Sequence, residues 1–132
     1  AWSDPWWMLC ALSIAVTAWG GGFDVLYALQ DLDFDKQNAL HSIPVAIGER
    51  NSFLVSRALH VLAVLCLVAV GLATGGGYLY FSGVVVAAGL LLYEHTLVAP
   101  GNLTKLDAAF FTMNGIISLV FCAFVTLERF LA

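Results

Sequence analysis

The sequence contains few charged residues. Only 11% of its 132 residues are Asp, Glu, Lys or Arg, whereas 61% are hydrophobic and the mean hydropathy is +0.93. Because soluble domains carry about 25% charged residues, this composition excludes an ordinary soluble domain. We therefore expect an integral membrane protein whose apolar surface contacts a lipid bilayer.

Basic residues and paired cysteines are also scarce. The five basic residues are scattered and form no basic patch, so we expect no nucleic-acid partner. Cys10, Cys66 and Cys122 lie singly in apolar runs, without the spacing of a metal or redox centre. The chain starts with Ala and has no basic stretch before its first apolar run. We expect no signal peptide there, and we interpret the chain as a piece of a longer polypeptide.

Long apolar runs dominate the chain. Four of them are about as long as the roughly 20 residues that a helix needs to cross a bilayer. The fold class that we predict is all-α, an integral membrane bundle with transmembrane helices at about residues 6–29, 53–74, 78–98 and 108–131. A polar motif loop should occupy residues 30–52, within which residues 33–43 suit a short interfacial helix. The run Gly75–Gly77 predicts a tight turn between antiparallel neighbours.

The acidic residues concentrate directly after the first apolar run. Four of the nine lie within residues 24–35. If the first helix continues, Tyr27, Asp31 and Asp35 follow at intervals of four on one face, and Asp24 joins that face. Stacked carboxylates repel one another, and a divalent cation removes that repulsion. Because Mg²⁺ prefers oxygen ligands and binds substrate phosphates, this face predicts a Mg²⁺-diphosphate site at the membrane surface.

The acidic residues also invite two other interpretations, a calcium-binding loop and a solvated helix cap. Asp31, Asp33 and Asp35 fit positions 1, 3 and 5 of a calcium-binding EF-hand loop, but Lys36 and Ser42 stand where Gly and Glu are required. The calcium interpretation therefore fails twice. An acidic cluster at a helix end is also typical of a solvated cap, although this helix is long enough to cross a bilayer.

The basic residues predict the orientation. Lys36, Arg50, Arg57 and Lys105 lie on the side of the acidic residues, and Arg129 lies on the other. The positive-inside rule therefore places the acidic side in the cytoplasm. Lys36 and Arg57 are candidates to bind diphosphate oxygens, Lys36 being the better one because it adjoins the acidic face. We interpret Arg50 as an ordinary loop anchor.

Further titratable residues stand in the second and third apolar runs. Glu94 and His95 suit either a base or outer-shell pair for the site, or a cap and interface pair, and we favour the second. We interpret His60 as a packed or interfacial histidine rather than a ligand.

The acidic run Asp24-x-x-Tyr27-Ala28-x-x-Asp31-x-Asp33-x-Asp35 closely resembles the second aspartate-rich motif of UbiA-type aromatic prenyltransferases. Three further motifs resemble the 4-hydroxybenzoate polyprenyltransferase branch of that family: His41-Ser42-Ile43-Pro44 followed by Gly48, Tyr93-Glu94-His95, and Phe110-Phe111-x-x-Asn114-Gly115. The resemblance covers essentially the whole chain.

The resemblance implies a nine-helix fold whose last four helices match this chain, with the family's first aspartate motif outside it. It implies that Mg²⁺ held by both motifs binds a polyprenyl diphosphate. The diphosphate leaves, and an aromatic ring such as that of 4-hydroxybenzoate attacks the allylic cation, as in ubiquinone or menaquinone-type quinone biosynthesis. The chain alone should then be inactive, because half of the metal site is missing. The expected location is a bacterial inner membrane, with the active site facing the cytoplasm.

The resemblance also implies roles for individual residues. Asp31 and Asp35 match the metal-binding acids, Asp24 matches a further acidic position, and Tyr27 matches a tyrosine near the diphosphate. Two alternatives from other classes remain. One is a transporter or ion pathway that uses Asp24 and Asp31 for cations or protons, and the other is a membrane scaffold without catalysis.

Overall fold

The computed structural model describes residues 5–131, without the side chains of residues 108–110. Six α-helices follow in the order α1 (Trp7–Ala28), α2 (Leu32–Gln37), α3 (Ile43–Ile47), α4 (Glu49–Thr74), α5 (Tyr78–Leu97) and α6 (Asn114–Leu131). A 3₁₀ turn at Leu29–Asp31 joins α1 to α2, and a π-helical turn at Ala108–Met113 precedes α6. Four helical stretches are long and apolar enough to cross a membrane. The predicted all-α membrane bundle is confirmed.

Helix α1 continues through its three consecutive glycines, Gly20–Gly22, and packs along α4. A Cβ atom at Gly22 would overlap the ring of His60, so only glycine allows the two helices to come this close. Small residues serve this purpose at helix contacts in membranes, where van der Waals packing replaces the hydrophobic effect.

The polar connection differs from the predicted motif loop at 30–52. Instead of one helix over 33–43, the chain forms α2 and α3, which are separated by a turn where Ala39 has a positive φ of 53°. Helix α4 begins at Glu49, four residues before the predicted start at 53. Gly48, with φ of 84°, ends α3 and directly precedes α4, so little of the connection is irregular.

The apolar core is divided along the bundle. Next to the acidic end, buried side chains from α1, α4 and the chain between α5 and α6 contact one another: Leu26, Leu29, Phe53, Val98 and Leu106. Further along, α1, α4, α5 and α6 contribute two other clusters, one around Leu67 and Val84 and one around Phe23 and Ile117. Close packing of these side chains holds the long helices side by side.

Two carboxylates tie the helix ends together at opposite sides of the bundle. The predicted glycine turn is confirmed, because Gly75 adopts the left-handed conformation with φ of 67° and α5 starts directly after Gly77. The Gly77 N–H donates to Glu128 Oε1 at 2.6 Å, which fastens α6 to this turn. At the acidic side, the Gly101 N–H donates to Glu49 Oε1 at 2.6 Å.

Close packing of α5 on α6 gives a direct test of the fold. A Cβ atom at Gly83 would lie 2.6 Å from the Cβ atom of Phe124, whereas one at Gly89, also in α5, would meet nothing within 4 Å. We expect Gly83→Ala to lower the free energy of unfolding by about 1–3 kcal/mol through overpacking. Gly89→Ala should leave it unchanged or raise it, since alanine is the better helix former.

The measurement is thermal unfolding of the purified full-length protein in detergent. Equal midpoints for the two variants would contradict the packing of α5 on α6 described here.

Candidate functional site

The acidic residues lie on the face of α1 that points away from α4. Asp24, Tyr27 and Asp31 are exposed, Tyr27 with an exposed fraction of 37%. Val25 and Leu26, which lie between Asp24 and Tyr27, are buried. Because α1 packs along α4, burial of the apolar positions turns the polar positions outward. The exposed face is therefore a consequence of helix periodicity.

The 3₁₀ turn changes the spacing expected for this face. The predicted stacking of Tyr27, Asp31 and Asp35 at intervals of four required one continuous α-helix. Instead, α1 ends at Ala28, and a 3₁₀ turn, which has fewer residues per turn, covers Leu29–Asp31. Leu29 is buried in the core beside the acidic end, and this burial holds the turn in place. Asp35 lies partly buried in α2, with Asp33 and Lys36 exposed beside it. The structure therefore divides the motif between two helices.

The donor set of this face suits Mg²⁺. Asp24, Asp31 and Asp35 offer carboxylate oxygens, the ligands that Mg²⁺ accepts one or two at a time together with water and phosphate. Among the described residues, these three carboxylates do not form a group with all ligand atoms within 4.8 Å. Within the described residues, the carboxylates of this face therefore do not form a closed cage for an ion.

One aromatic contact links the acidic face to the π-helical turn. The ring of Tyr27 meets that of Phe111 edge to face, with the centroids 6.0 Å apart. Edge-to-face pairs contribute about 0.5–1.5 kcal/mol beyond the area that they bury. The contact therefore orients Tyr27, one of the residues singled out by its motif.

A buried hydrogen bond fixes α1 against α4 just before the acidic residues. The Ser56 hydroxyl donates to the Gly22 carbonyl at 2.8 Å, across 34 positions of sequence. Gly22 lies two residues before Asp24. This hydrogen bond therefore fixes the position of the acidic face along the axis of α4.

Arg57 lines a cavity of about 520 Å³ between α4 and α5, and none of the aspartates of the motif lines this cavity. Its polar neighbours there are His60, His95 and Thr96. The remaining walls are aliphatic: Val61, Val64, Leu65, Ala88, Leu91 and Leu92. The cavity combines a long apolar wall with one cluster of titratable side chains.

Three residues, two of which line this cavity, form a potential metal-binding group in the part of the chain that is described. The ligand atoms of His60, Glu94 and His95 all lie within 4.8 Å of one another. His60 Nδ1 and His95 Nε2 are 2.8 Å apart, and His60 Nε2 lies 3.2 Å from the Trp19 carbonyl oxygen. The ring of His60 also packs on Phe23, with the centroids 4.8 Å apart.

Sequence reasoning assigned these residues only in part. His60 is packed in the interior, as expected, with an exposed fraction of 3%, although this burial does not test the expectation that it is not a ligand. The interpretation of Glu94 as an interface residue is wrong, because the side chain is completely buried within α5. The signal that connects them is the turn: His60 precedes Gly75 by 15 residues and His95 follows Gly77 by 18, so antiparallel helices bring them to similar depth.

Comparison with known proteins identifies the family to which the chain belongs. A sequence model of the UbiA prenyltransferase family matches residues 1–116. Similar curated proteins are 4-hydroxybenzoate octaprenyltransferases from Aromatoleum aromaticum (27% identical over 90% of this chain and 39% of the relative) and Aeromonas salmonicida (30% over 85% and 38%). A third, from Marinobacter nauticus, is 29% identical over 82% of this chain and 35% of its own length. No solved structure gives a significant match. The chain thus spans less than two fifths of the length of these relatives.

The hydrogen bond between α4 and α1 leads to a prediction. Ser56→Ala removes the hydrogen bond that the Gly22 carbonyl accepts from α4, and we expect the free energy of unfolding to fall by about 0.5–1.5 kcal/mol. Ser52→Ala is the matched control, because the equally buried Ser52 hydroxyl donates to Gly48, only four residues away. Chemical denaturation in detergent compares the two variants. A loss for Ser52→Ala as large as that for Ser56→Ala would contradict the assigned contact between helices.

Proposed function

Since the chain belongs to the UbiA prenyltransferase family, we propose that its protein transfers a polyprenyl group from polyprenyl diphosphate to an aromatic acceptor. The acceptor that we propose is 4-hydroxybenzoate or a similar ring, in quinone biosynthesis of the ubiquinone or menaquinone type. The match to 4-hydroxybenzoate octaprenyltransferases over most of the chain supports this choice. In the proposal, this chain forms the last four helices of a nine-helix enzyme.

The observation that carries the proposal is the exposed acidic face of α1. Asp24 and Tyr27 lie near the end of α1, which is apolar enough to span a bilayer, and Asp31 lies in the turn that follows it. All three side chains are exposed. Exposed carboxylates in this position cost the fold little and are available to a ligand. In the proposal, the first aspartate motif of the missing N-terminal half faces them.

Asp31, Asp35 and Asp24 are the residues that we propose to hold Mg²⁺. When bound, Mg²⁺ supplies charge neutralisation for the leaving diphosphate, the usual contribution of a metal ion to this class of transfer. The contribution of the chain itself is to hold these carboxylates at a membrane surface, where α1, the 3₁₀ turn and α2 fix their separation.

The remaining motif residues act on the diphosphate in this proposal. Tyr27, held by its contact with Phe111, directs its hydroxyl group to the diphosphate. Lys36, exposed beside Asp35, binds phosphate oxygens as a point charge, and Arg57 binds them with its planar guanidinium group from the edge of the cavity. The apolar helices exclude water, which would otherwise capture the prenyl cation as an alcohol.

The proposed location is a bacterial inner membrane, with the acidic side in the cytoplasm. Four membrane-spanning helices support an integral membrane protein, and the excess of basic residues at the acidic side supports the orientation. The partners are the lipid bilayer, the two substrates and the N-terminal half of the same polypeptide. The transporter alternative has less support, because the prenyltransferase family match extends over residues 1–116.

Substitution of the metal-binding acids tests the proposal. In the full-length protein, we expect Asp31→Asn or Asp35→Asn to reduce Mg²⁺-dependent prenyl transfer at least 100-fold, since each removes a charged oxygen ligand. Asp33→Asn, in the same exposed stretch, is the matched control and should retain activity. The measurement is transfer of the radiolabelled prenyl group from its diphosphate to the aromatic acid in vesicles. Full activity in both ligand variants would exclude the metal role.

The isolated chain provides a second test. We expect residues 1–132 to show no transfer activity, because the proposed site needs the first aspartate motif as well. Co-expression with the N-terminal half of the enzyme should restore activity. Transfer by the isolated chain would show that one motif is sufficient and would overturn the two-motif site.

A further inference from the structure

We propose that His60, Glu94 and His95 form a second metal site, which takes a divalent transition ion such as Zn²⁺. The three residues belong to the α4–α5 pair and include none of the aspartates assigned to Mg²⁺. The inference therefore does not rest on the proposed prenyl transfer. Two imidazoles and one carboxylate are the donor set that zinc takes in open sites, where a fourth position remains for water or another ligand.

The hydrogen bonds of His60 already give it the tautomer of a metal ligand. The Trp19 carbonyl oxygen 3.2 Å from Nε2 can only accept, so Nε2 carries the hydrogen and Nδ1 presents a lone pair. Metal-binding histidines usually donate their second N–H to a carbonyl or carboxylate in this way, which fixes the ring. The ring also packs on Phe23 and against Gly22, where a Cβ atom would collide with it.

His95 makes a hydrogen bond to His60 that a bound metal ion can replace. With a lone pair on His60 Nδ1, the 2.8 Å contact requires His95 Nε2 to donate its hydrogen. His95 Nδ1 is then unprotonated, and it is buried with no hydrogen-bond partner among the described residues. When an ion binds between the rings, the hydrogen moves to Nδ1 and Nε2 becomes a ligand. In tetrahedral geometry, Zn–N bonds of about 2.0–2.1 Å require the two nitrogens to separate by about half an ångström.

Glu94 is the observation that points to a ligand. Its side chain is completely buried, and neither carboxylate oxygen has a hydrogen-bond partner within the described part of the chain. A buried carboxylate without partners is costly, and acidic residues inside membrane-spanning helices generally have a function. A divalent ion offsets this cost, since it supplies positive charge within reach of one carboxylate oxygen.

The cavity between α4 and α5 provides room for the fourth ligand. His60 and His95 form part of its wall, and its volume of about 520 Å³ accommodates more than a water molecule. Arg57 lines the same cavity, and its positive charge opposes a second cation there. Glu94 counters that charge, and the combination of Arg57 with a divalent ion favours an anionic fourth ligand, such as a carboxylate.

Cobalt is the probe that tests the site, because Co²⁺ replaces Zn²⁺ and absorbs visible light when four-coordinate. The full-length protein, purified in detergent and stripped with a chelator, is titrated with Co²⁺ in the presence of Mg²⁺. We expect one equivalent to bind with the absorption bands of a tetrahedral ion, and Zn²⁺ to displace it. Elemental analysis then gives one Zn²⁺ per chain.

Variants locate the binding within the chain. Glu94→Gln and His95→Gln should each weaken Co²⁺ binding by about 100-fold or more, since loss of even an outer-shell partner costs 10–100-fold. His41→Gln is the matched control, because His41 is the exposed histidine of the chain and lies outside the group. Asp31→Asn should bind Co²⁺ like the wild type, which separates this site from the proposed Mg²⁺ site.

Three results would overturn the inference. One is the absence of stoichiometric Co²⁺ or Zn²⁺ binding by the wild-type protein, a result that does not depend on whether any variant folds. The second is unchanged affinity in Glu94→Gln. The third is an equal loss of affinity in His41→Gln and His95→Gln, which would indicate adventitious surface binding.

Discussion

The close approach of α1 to α4 at Gly22 is the contact on which the rest of the site depends. Because Gly22 has no side chain, the ring of His60 fits against the backbone of α1 and reaches the Trp19 carbonyl. The same approach lets the Ser56 hydroxyl bond to the Gly22 carbonyl. One steric contact and two hydrogen bonds thus meet within about one turn of α1. They fix both the exposed acidic face on one side of α1 and the histidine pair on the other.

The acidic residues fall into two groups with different physical situations. Asp24 and Asp31 lie at the surface, where water or a ligand solvates them and the cost to the fold is small. Glu94 lies inside a membrane-spanning helix, completely buried, beside two histidines. A buried carboxylate needs a compensating charge, whereas an exposed carboxylate does not. The two groups are therefore separate in the fold, and only the first belongs to the aspartate-rich motif.

Much of the fold follows from composition, and less of the site does. The apolar runs predict the membrane-spanning helices because length and hydropathy are local properties, and the glycine turn predicts their antiparallel order. The 3₁₀ turn at Leu29–Asp31 was not predictable, because it depends on the burial of Leu29 against the distant Phe53 and Val98. The association of His60 with His95 depends on helix packing and on a glycine in a third helix. The left-handed Ala39 that separates α2 from α3 has no signal in the sequence, since alanine rarely adopts that conformation.

The two glycine N–H groups held by carboxylates have a consequence for motion. The α4–α5 pair is closed covalently by the glycine turn at one end, and at the other end by the bond from Gly101 to Glu49. Glu128 of α6 also restrains the turn through Gly77. Because α4 and α5 are connected at both ends, they cannot separate by a hinge motion. The volume of the cavity between them therefore changes mainly when individual side chains rotate. A molecule that enters this space would therefore have to pass sideways between the two helices, where Leu65 and Leu92 form part of the wall.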